Sequence, residues 1–316
     1  MKTHILSLLI FICLATQAFS QNGIITLRSV SNPDRTISIN AESLAYGDYT
    51  IRISFKTLQG YRGSGIFGDV GIFVVQRGNR ELVKLEPEKS ATVYSYGFSY
   101  SYFPGNYLNK APSDTGFLYL LPGTLNNIVR ISKVSSFEAS FGKPVEDAFF
   151  GTGFSYASGD TICAARAGLV YDCSDEQKES EKGKVIFKRT NNQILIQQRD
   201  GSLAQYTVRA PIKLLVEKGD NVIPGQPIAV FNKENEGYEM ILSVRYLDGK
   251  KISAIRNNSD GTIVNPYRFL PTIFCIGEDG HSSSLQMPNQ TFKVAYPKEL
   301  IGKELSKKEK KKLGLL

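Results

Sequence analysis

Apolar and polar residues alternate with a period of two through much of the chain. DYTIRISF puts Tyr49, Ile51, Ile53 and Phe55 on one side and polar residues between them, as a half-buried strand requires. Between residues 23 and 92 the short apolar runs IITLRSV, TISIN, IFVVQ and LVKLEP recur, separated by polar or glycine-containing turns. They predict a small β-sandwich-like module. VYSYGFSYSYFPG follows, with aromatics at 94, 96, 98, 100 and 102 and Ser or Gly between them. One face of this strand is all aromatic and the other small. It reads as a core or inter-domain face. The alternative is a sugar-stacking platform built on Tyr, since the chain has no Trp.

Further strand-like runs are VIFKR, ILIQQR, AQYTV, IKLLVEKGD, PIAVF, EMILSVRYL and VNPYRFLP, with turns at NKENEG and RNNSDGT. Long apolar periods of helical spacing are absent, and Gly and Pro are frequent, so the fold class is all-β. The predicted organisation is a signal peptide over 1–20, the N-terminal β module over 21–92, the aromatic strand and connector over 93–136, a second β domain over 137–275, and a C-terminal extension with a basic tail over 276–316.

The first twenty residues, MKTHILSLLIFICLATQAFS, combine Lys2, an apolar stretch from Ile5 to Leu14 and a small-residue end at Ala18 and Ser20. They read as a cleaved secretory signal with the mature chain starting near Gln21. The apolar run falls short of the roughly 20 residues a bilayer span needs, so it is not read as a membrane anchor. The expected localisation is exported, periplasmic or secreted.

Charge changes little in this picture. The formal net charge is +8, and six Lys against two Glu between Lys303 and Leu316 supply half of it. The tail reads as a solvated end, with contact to an anionic surface as the functional alternative. No basic stripe interleaved with aromatics marks the body, so nucleic acid is excluded as a partner. Three cysteines remain beyond Gln21. CAARAGLVYDC reads as a tight hairpin, which makes Cys163 and Cys173 the disulfide candidate and leaves Cys275 a buried thiol.

Five segments, in this order, carry a resemblance: GDTICAARAGLVYD (159–172), ILIQQRDGSLAQY (194–206), VEKGDNVIPGQPIAVF (216–231), EMILSVRYL (239–247) and VNPYRFLP (264–271). Together with FFGTG (149–153) they resemble the lysostaphin-type (LytM-like) peptidoglycan zinc metalloendopeptidases, of duplicated-hybrid-motif fold. The resemblance implies that residues 137–275 form a metalloendopeptidase-like antiparallel β domain of barrel-sandwich hybrid type. Gly168, Gly201, Gly219 and Gly225 fall where turns need φ > 0 or leave no room for Cβ.

The family's chemistry needs imidazoles and a carboxylate to hold Zn²⁺ with one position open for water. Carried over residue by residue, the upstream His falls at Phe149 and the Asp at Gly153. The His of I-x-H-x-D-G falls at Gln198, the His of Y-x-H at Val208, and the H-x-H pair at Glu239 and Ile241. Only Glu239 could bind a cation. The chain has two His, His4 in the signal segment and His281 in the loop GEDGHSSS. No catalytic residue, metal or cofactor is therefore expected.

Other chemistry is thin. Asp147, Asp160, Asp172 and Asp175 are loop acids that could act as paired carboxylates or simply be solvated. Lipoyl-type carrier hairpins need a Lys at the tip, and CAARAGLV offers Arg166. The expected function is a non-catalytic cell-envelope protein whose degenerate groove binds peptidoglycan or a partner such as a cell-wall hydrolase. The alternative is an active peptidoglycan hydrolase with an atypical site around Glu239.

Overall fold

A computed structural model describes residues 23–109, 116–135, 149–156, 160–175, 192–232, 238–255, 265–278, 283–284 and 290–315. The signal segment, the VIFKR run, Asp147 and His281 lie outside the described residues.

The N-terminal part contributes β1 (Ile25–Ser31), β2 (Ile37–Ser43), β3 (Tyr49–Gln59), β4 (Tyr61–Gly63), β5 (Ile66–Phe67), β6 (Val70–Val75), β7 (Gly78–Pro87) and β8 (Ser95–Pro104). They form two four-stranded sheets, ordered β1-β2-β7-β4 and β5-β6-β3-β8. Ile25, Ile39, Val83 and Leu85 of the first sheet meet Ile51, Ile53 and Phe55 of the second in one core. This is a β-sandwich, and burial of its two apolar faces holds it together. β3 differs from the half-buried expectation. Its polar side is covered too: Thr50 donates to the Gly105 carbonyl at 2.8 Å, and the buried Arg52 guanidinium donates to Ser54 and to the Ile255 carbonyl. β8 lies at the sheet edge beside β3, and Tyr96, Phe98, Tyr100 and Tyr102 pack on the sandwich core. The aromatic ladder is therefore core packing on one side, with Ser95, Ser99 and Ser101 exposed on the other.

The strands that follow are β9 (Leu118–Leu120), β10 (Ile128–Ser135), β11 (Phe150–Tyr156), β12 (Thr161–Cys163), β13 (Gly168–Ser174), β14 (Asn192–Gln198), β15 (Leu203–Val208), β16 (Ile212–Leu214), β17 (Asn221–Val222), β18 (Pro227–Phe231), β19 (Tyr238–Leu247), β20 (Tyr267–Leu270), β21 (Ile273–Cys275), β22 (Ser283–Ser284) and β23 (Gln290–Lys293). Nine of them make one antiparallel sheet, β17-β13-β14-β15-β19-β11-β10-β23, with β20 beside β19. A small sheet, β12-β18-β16, lies against it. Ile162, Ile228 and Phe231 of the small sheet share a core with Ile194, Tyr206, Met240 and Leu242 of the large one. The structure is thus all-β, with three short helices among the described residues: α1 (Gly249–Ala254), α2 (Lys298–Gly302) and α3 (Lys307–Lys312). Among the described residues no helix is long and apolar enough to cross a membrane.

The glycine expectations hold. Gly201, Gly219 and Gly225 have φ of 84°, 97° and 81°. At Gly168 a Cβ would stand 2.4 Å from the Gln197 carbonyl oxygen across the β13–β14 ladder.

The large sheet has two different faces. One carries the core shared with the small sheet. The other presents Leu169, Tyr171, Leu195, Leu203 and Tyr267 to the sandwich core. Tyr171 stacks on Tyr49 with ring centroids 5.5 Å apart, and its hydroxyl donates to the Asp48 carbonyl at 2.6 Å. Tyr267 donates to the Pro104 carbonyl at 2.9 Å.

The disulfide expectation is corrected. Residues 163–173 do not form a hairpin, because β12 pairs with β18 while β13 pairs with β14 and β17. Cys163 is a buried free thiol next to Tyr296 and Thr124. Cys173 is a thiol 3.7 Å from the Val216 carbonyl, and Cys275 is a buried thiol that donates to the Gly277 carbonyl at 3.2 Å.

Candidate functional site

Strands β11 and β19 are neighbours, with Gly153 opposite Ile241 and Ser155 opposite Glu239. Side chains alternate across a strand, so Phe149, Gly151 and Gly153 share a face with Glu239 and Ile241. This is the face of the large sheet that the sandwich covers in part. The approach is close: a Cβ on Gly151 would lie 2.9 Å from Ile241 Cγ2 and 3.3 Å from Phe149 Cζ. Phe149 also meets Phe269 of β20 edge-on, with centroids 5.1 Å apart. On the next strand Thr207 stands opposite Ile241, and Gln193 opposite Thr207. Gln205 donates to Thr207 Oγ1 at 3.3 Å and to Gln193 Oε1 at 3.4 Å. The result is a half-exposed apolar centre of Phe149, Phe269 and Ile241 with an amide and hydroxyl flank.

Four of the six sequence-derived positions therefore come together. Two do not. Val208 points to the opposite face, opposite Met240, and is fully buried in the core. Gln198 also faces inward, at the far end of β14, where its Oε1 accepts hydrogen bonds from Tyr119, Arg166 and Ser202.

The residues present do not fit a zinc ion. Phe149, Gly153 and Ile241 offer no lone pair to a metal. Glu239 faces solvent and pairs with Arg209 at 3.7 Å, an exposed pair worth little. Among the described residues no three His, Cys, Asp or Glu side chains are grouped to hold a metal. Two of the expected loop acids have local partners: Asp160 accepts from Asn127 at 3.0 Å, and Asp172, which lies within β13 and not in a loop, pairs with Lys218 at 2.5 Å.

Sequence reasoning missed the role of Arg166, a heavily bonded side chain among the described residues. Arg166 is only 4% exposed. Its Nη1 donates to Asp200 at 2.9 Å and to Tyr119 and Gln198 at 3.1 Å each. Its Nε donates to Glu304 at 3.1 Å, its Nη2 bonds the other oxygen of Glu304, and Phe117 lies under the guanidinium at 3.8 Å. The available signal was an arginine within the small-residue run AARAG, where burial forces a charge to find partners. Beside this cluster a cleft of about 630 Å³ is lined by Asn109, Gln197, Asn221, Gln226 and the Arg199–Glu309 pair.

The cluster makes stability depend on pH. Burial alone would raise the Asp200 carboxyl, but Arg166 and two hydrogen bonds from Ser202 outweigh it and hold the group below its usual 3.8. Asp248 behaves alike: burial opposes, and Arg268 with the Lys250 and Lys251 amides prevails. Depressed folded values contribute stability above the unfolded value, which is lost as pH falls through the folded ones. The urea midpoint should accordingly hold from about pH 6 to 5 and fall as the pH drops below about 4, through the unfolded carboxylate value toward the lower folded ones.

No family model and no curated protein matches this chain. One solved structure that does match is a candidate M23 peptidase from Pseudomonas aeruginosa. It shares 15% identity over 70% of this chain and 87% of that one, with a TM-score of 0.25. A likeness at that level assigns neither fold nor activity.

Proposed function

We propose that this chain is a non-catalytic, exported cell-envelope protein with a peptidase-like domain. Its altered groove binds peptidoglycan or a partner such as a cell-wall hydrolase. The observation that supports this reading is the grouping of Phe149, Gly153, Glu239 and Ile241 on one sheet face, with Glu239 exposed, Phe149 and Ile241 half-buried and Gly153 buried. Those are the positions where the resembled enzymes need ligands, and the side chains here are those of a binding surface. An aromatic and an aliphatic group flanked on one side by carboxamides suit a ligand with apolar and amide parts.

The test is co-sedimentation of residues 21–316 with purified peptidoglycan, alongside affinity capture from envelope extract. The chain should appear in the pellet or retain an envelope protein. Phe149→Ala with Ile241→Asp should weaken that binding roughly tenfold or more, as expected for the centre of a contact. A wild-type chain that neither pellets nor captures anything would sink the reading.

A further inference from the structure

The C-terminal segment is not the frayed, solvated end that its composition suggests. Leu300, Gly302 and Leu305 are buried, and two short helices carry the chain across the body. The two acids beyond Lys303 pair with arginines, Glu304 inside the body and Glu309 at its surface. Glu304 gives both carboxylate oxygens to Arg166. Glu309 takes Arg199 at 2.9 and 3.2 Å and closes a capping box with Ser306 at the start of α3. Each of these acids is thus neutralised by an arginine of the body.

The lysines are left facing out. Lys303, Lys307, Lys308, Lys311 and Lys312 are exposed and Lys310 is half-exposed. Among the described residues none of the six pairs with a carboxylate. The segment's formal charge is +4. Lys303 reaches over the Phe117 ring at 5.5 Å and Lys310 lies back against Gly302, so the outward charge is chiefly Lys307, Lys308, Lys311 and Lys312, within about 9 Å of helix. Leu313, 40% exposed, follows directly on α3.

We infer that this arm is a latched cationic face that docks the protein on an anionic phospholipid surface. All six charges are Lys and none Arg. Lysine is a mobile point charge suited to a diffuse field of phosphates, whereas arginine favours fixed bidentate partners. The arm lies against the body, and from Lys298 to Leu316 it contains no aromatic residue on which a single strand of polymer would stack. An apolar side chain beside a lysine cluster is the arrangement that seats a segment at a headgroup layer. The Arg166–Glu304 contact fixes the orientation, so the charges are presented together.

The experiment is sedimentation of residues 21–316 with vesicles of phosphatidylglycerol plus phosphatidylcholine, and with phosphatidylcholine alone, at low and high salt. Binding should require the anionic lipid and fall with salt. Changing Lys307, Lys308, Lys310, Lys311 and Lys312 to Gln should weaken it at least about tenfold, since each lysine near the surface contributes severalfold. Changing Lys56, Lys89 and Lys213 to Gln, on other parts of the surface, should leave it unchanged. The inference fails if the five-site variant binds as wild type. It fails also if anionic vesicles are ignored, or if soluble polyphosphate binds and vesicles do not.

Discussion

Replacing Arg166 with methionine is expected to destabilise the protein by about 3–5 kcal/mol, read as a lowered urea midpoint at pH 7. Methionine fills much of the same space and can still lie on Phe117, so the loss is electrostatic. Asp200 and Glu304, with side chains 28% and 10% exposed, would lose their shared counter-charge in a site that water reaches poorly. The cost comes from leaving a buried charge unpaired, which exceeds the net worth of the intact pair. The double variant Arg166→Met with Glu304→Gln should therefore recover part of the loss. Arg166→Met should also loosen the arm, because Glu304 is one of its two acidic ties to the body, beside Glu309 on Arg199; faster proteolysis near Lys303 would report this. A midpoint shift below about 1 kcal/mol would mean the cluster is solvated like a surface pair.

Tyr171→Ala should cost a similar amount, about 3–5 kcal/mol, as large aromatic truncations in cores do. Tyr171 is buried between the sandwich and the large sheet. It stacks on Tyr49, its hydroxyl is bonded to the Asp48 carbonyl, and Gly47 packs on its ring so closely that no Cβ could be added there. Removing the ring opens a cavity at the junction, and neither side can collapse into it without breaking its own strands. Tyr171→Phe keeps the packing and should cost only about 1 kcal/mol, the lost hydrogen bond. Two separate melting transitions in the wild-type chain would contradict this shared core, because a ring at the junction couples the two parts into one unit.

Much of the fold was legible in the sequence because its signals are local. Period-two alternation located β3 and β8, and glycines at 201, 219 and 225 marked turns that take positive φ. Local signals do not say which strands become neighbours. That is why CAARAGLVYDC looked like a hairpin while its two halves join different sheets. The same limit divided the candidate groove. Strand order and register bring Phe149, Gly153, Glu239 and Ile241 to one face, and the same alternation turns Val208 inward. The polar side of β3 looked solvated because nothing local marks the segment near Ile255 that covers it. Arg166 was passed over for a related reason: its partners Tyr119, Asp200 and Glu304 are scattered along the sequence and meet only through the topology.

The central claim is that the groove has exchanged metal chemistry for contact. Elemental analysis of zinc in purified residues 21–316, after mild dialysis against zinc-containing and then zinc-free buffer, tests it most directly. Side chains such as Phe149, Gly153 and Ile241 should retain less than roughly a tenth of an equivalent, since metal affinity follows ligand identity and number. Near-stoichiometric zinc that survives dialysis, with muropeptides released from purified peptidoglycan by the same sample, would contradict the account and restore the hydrolase.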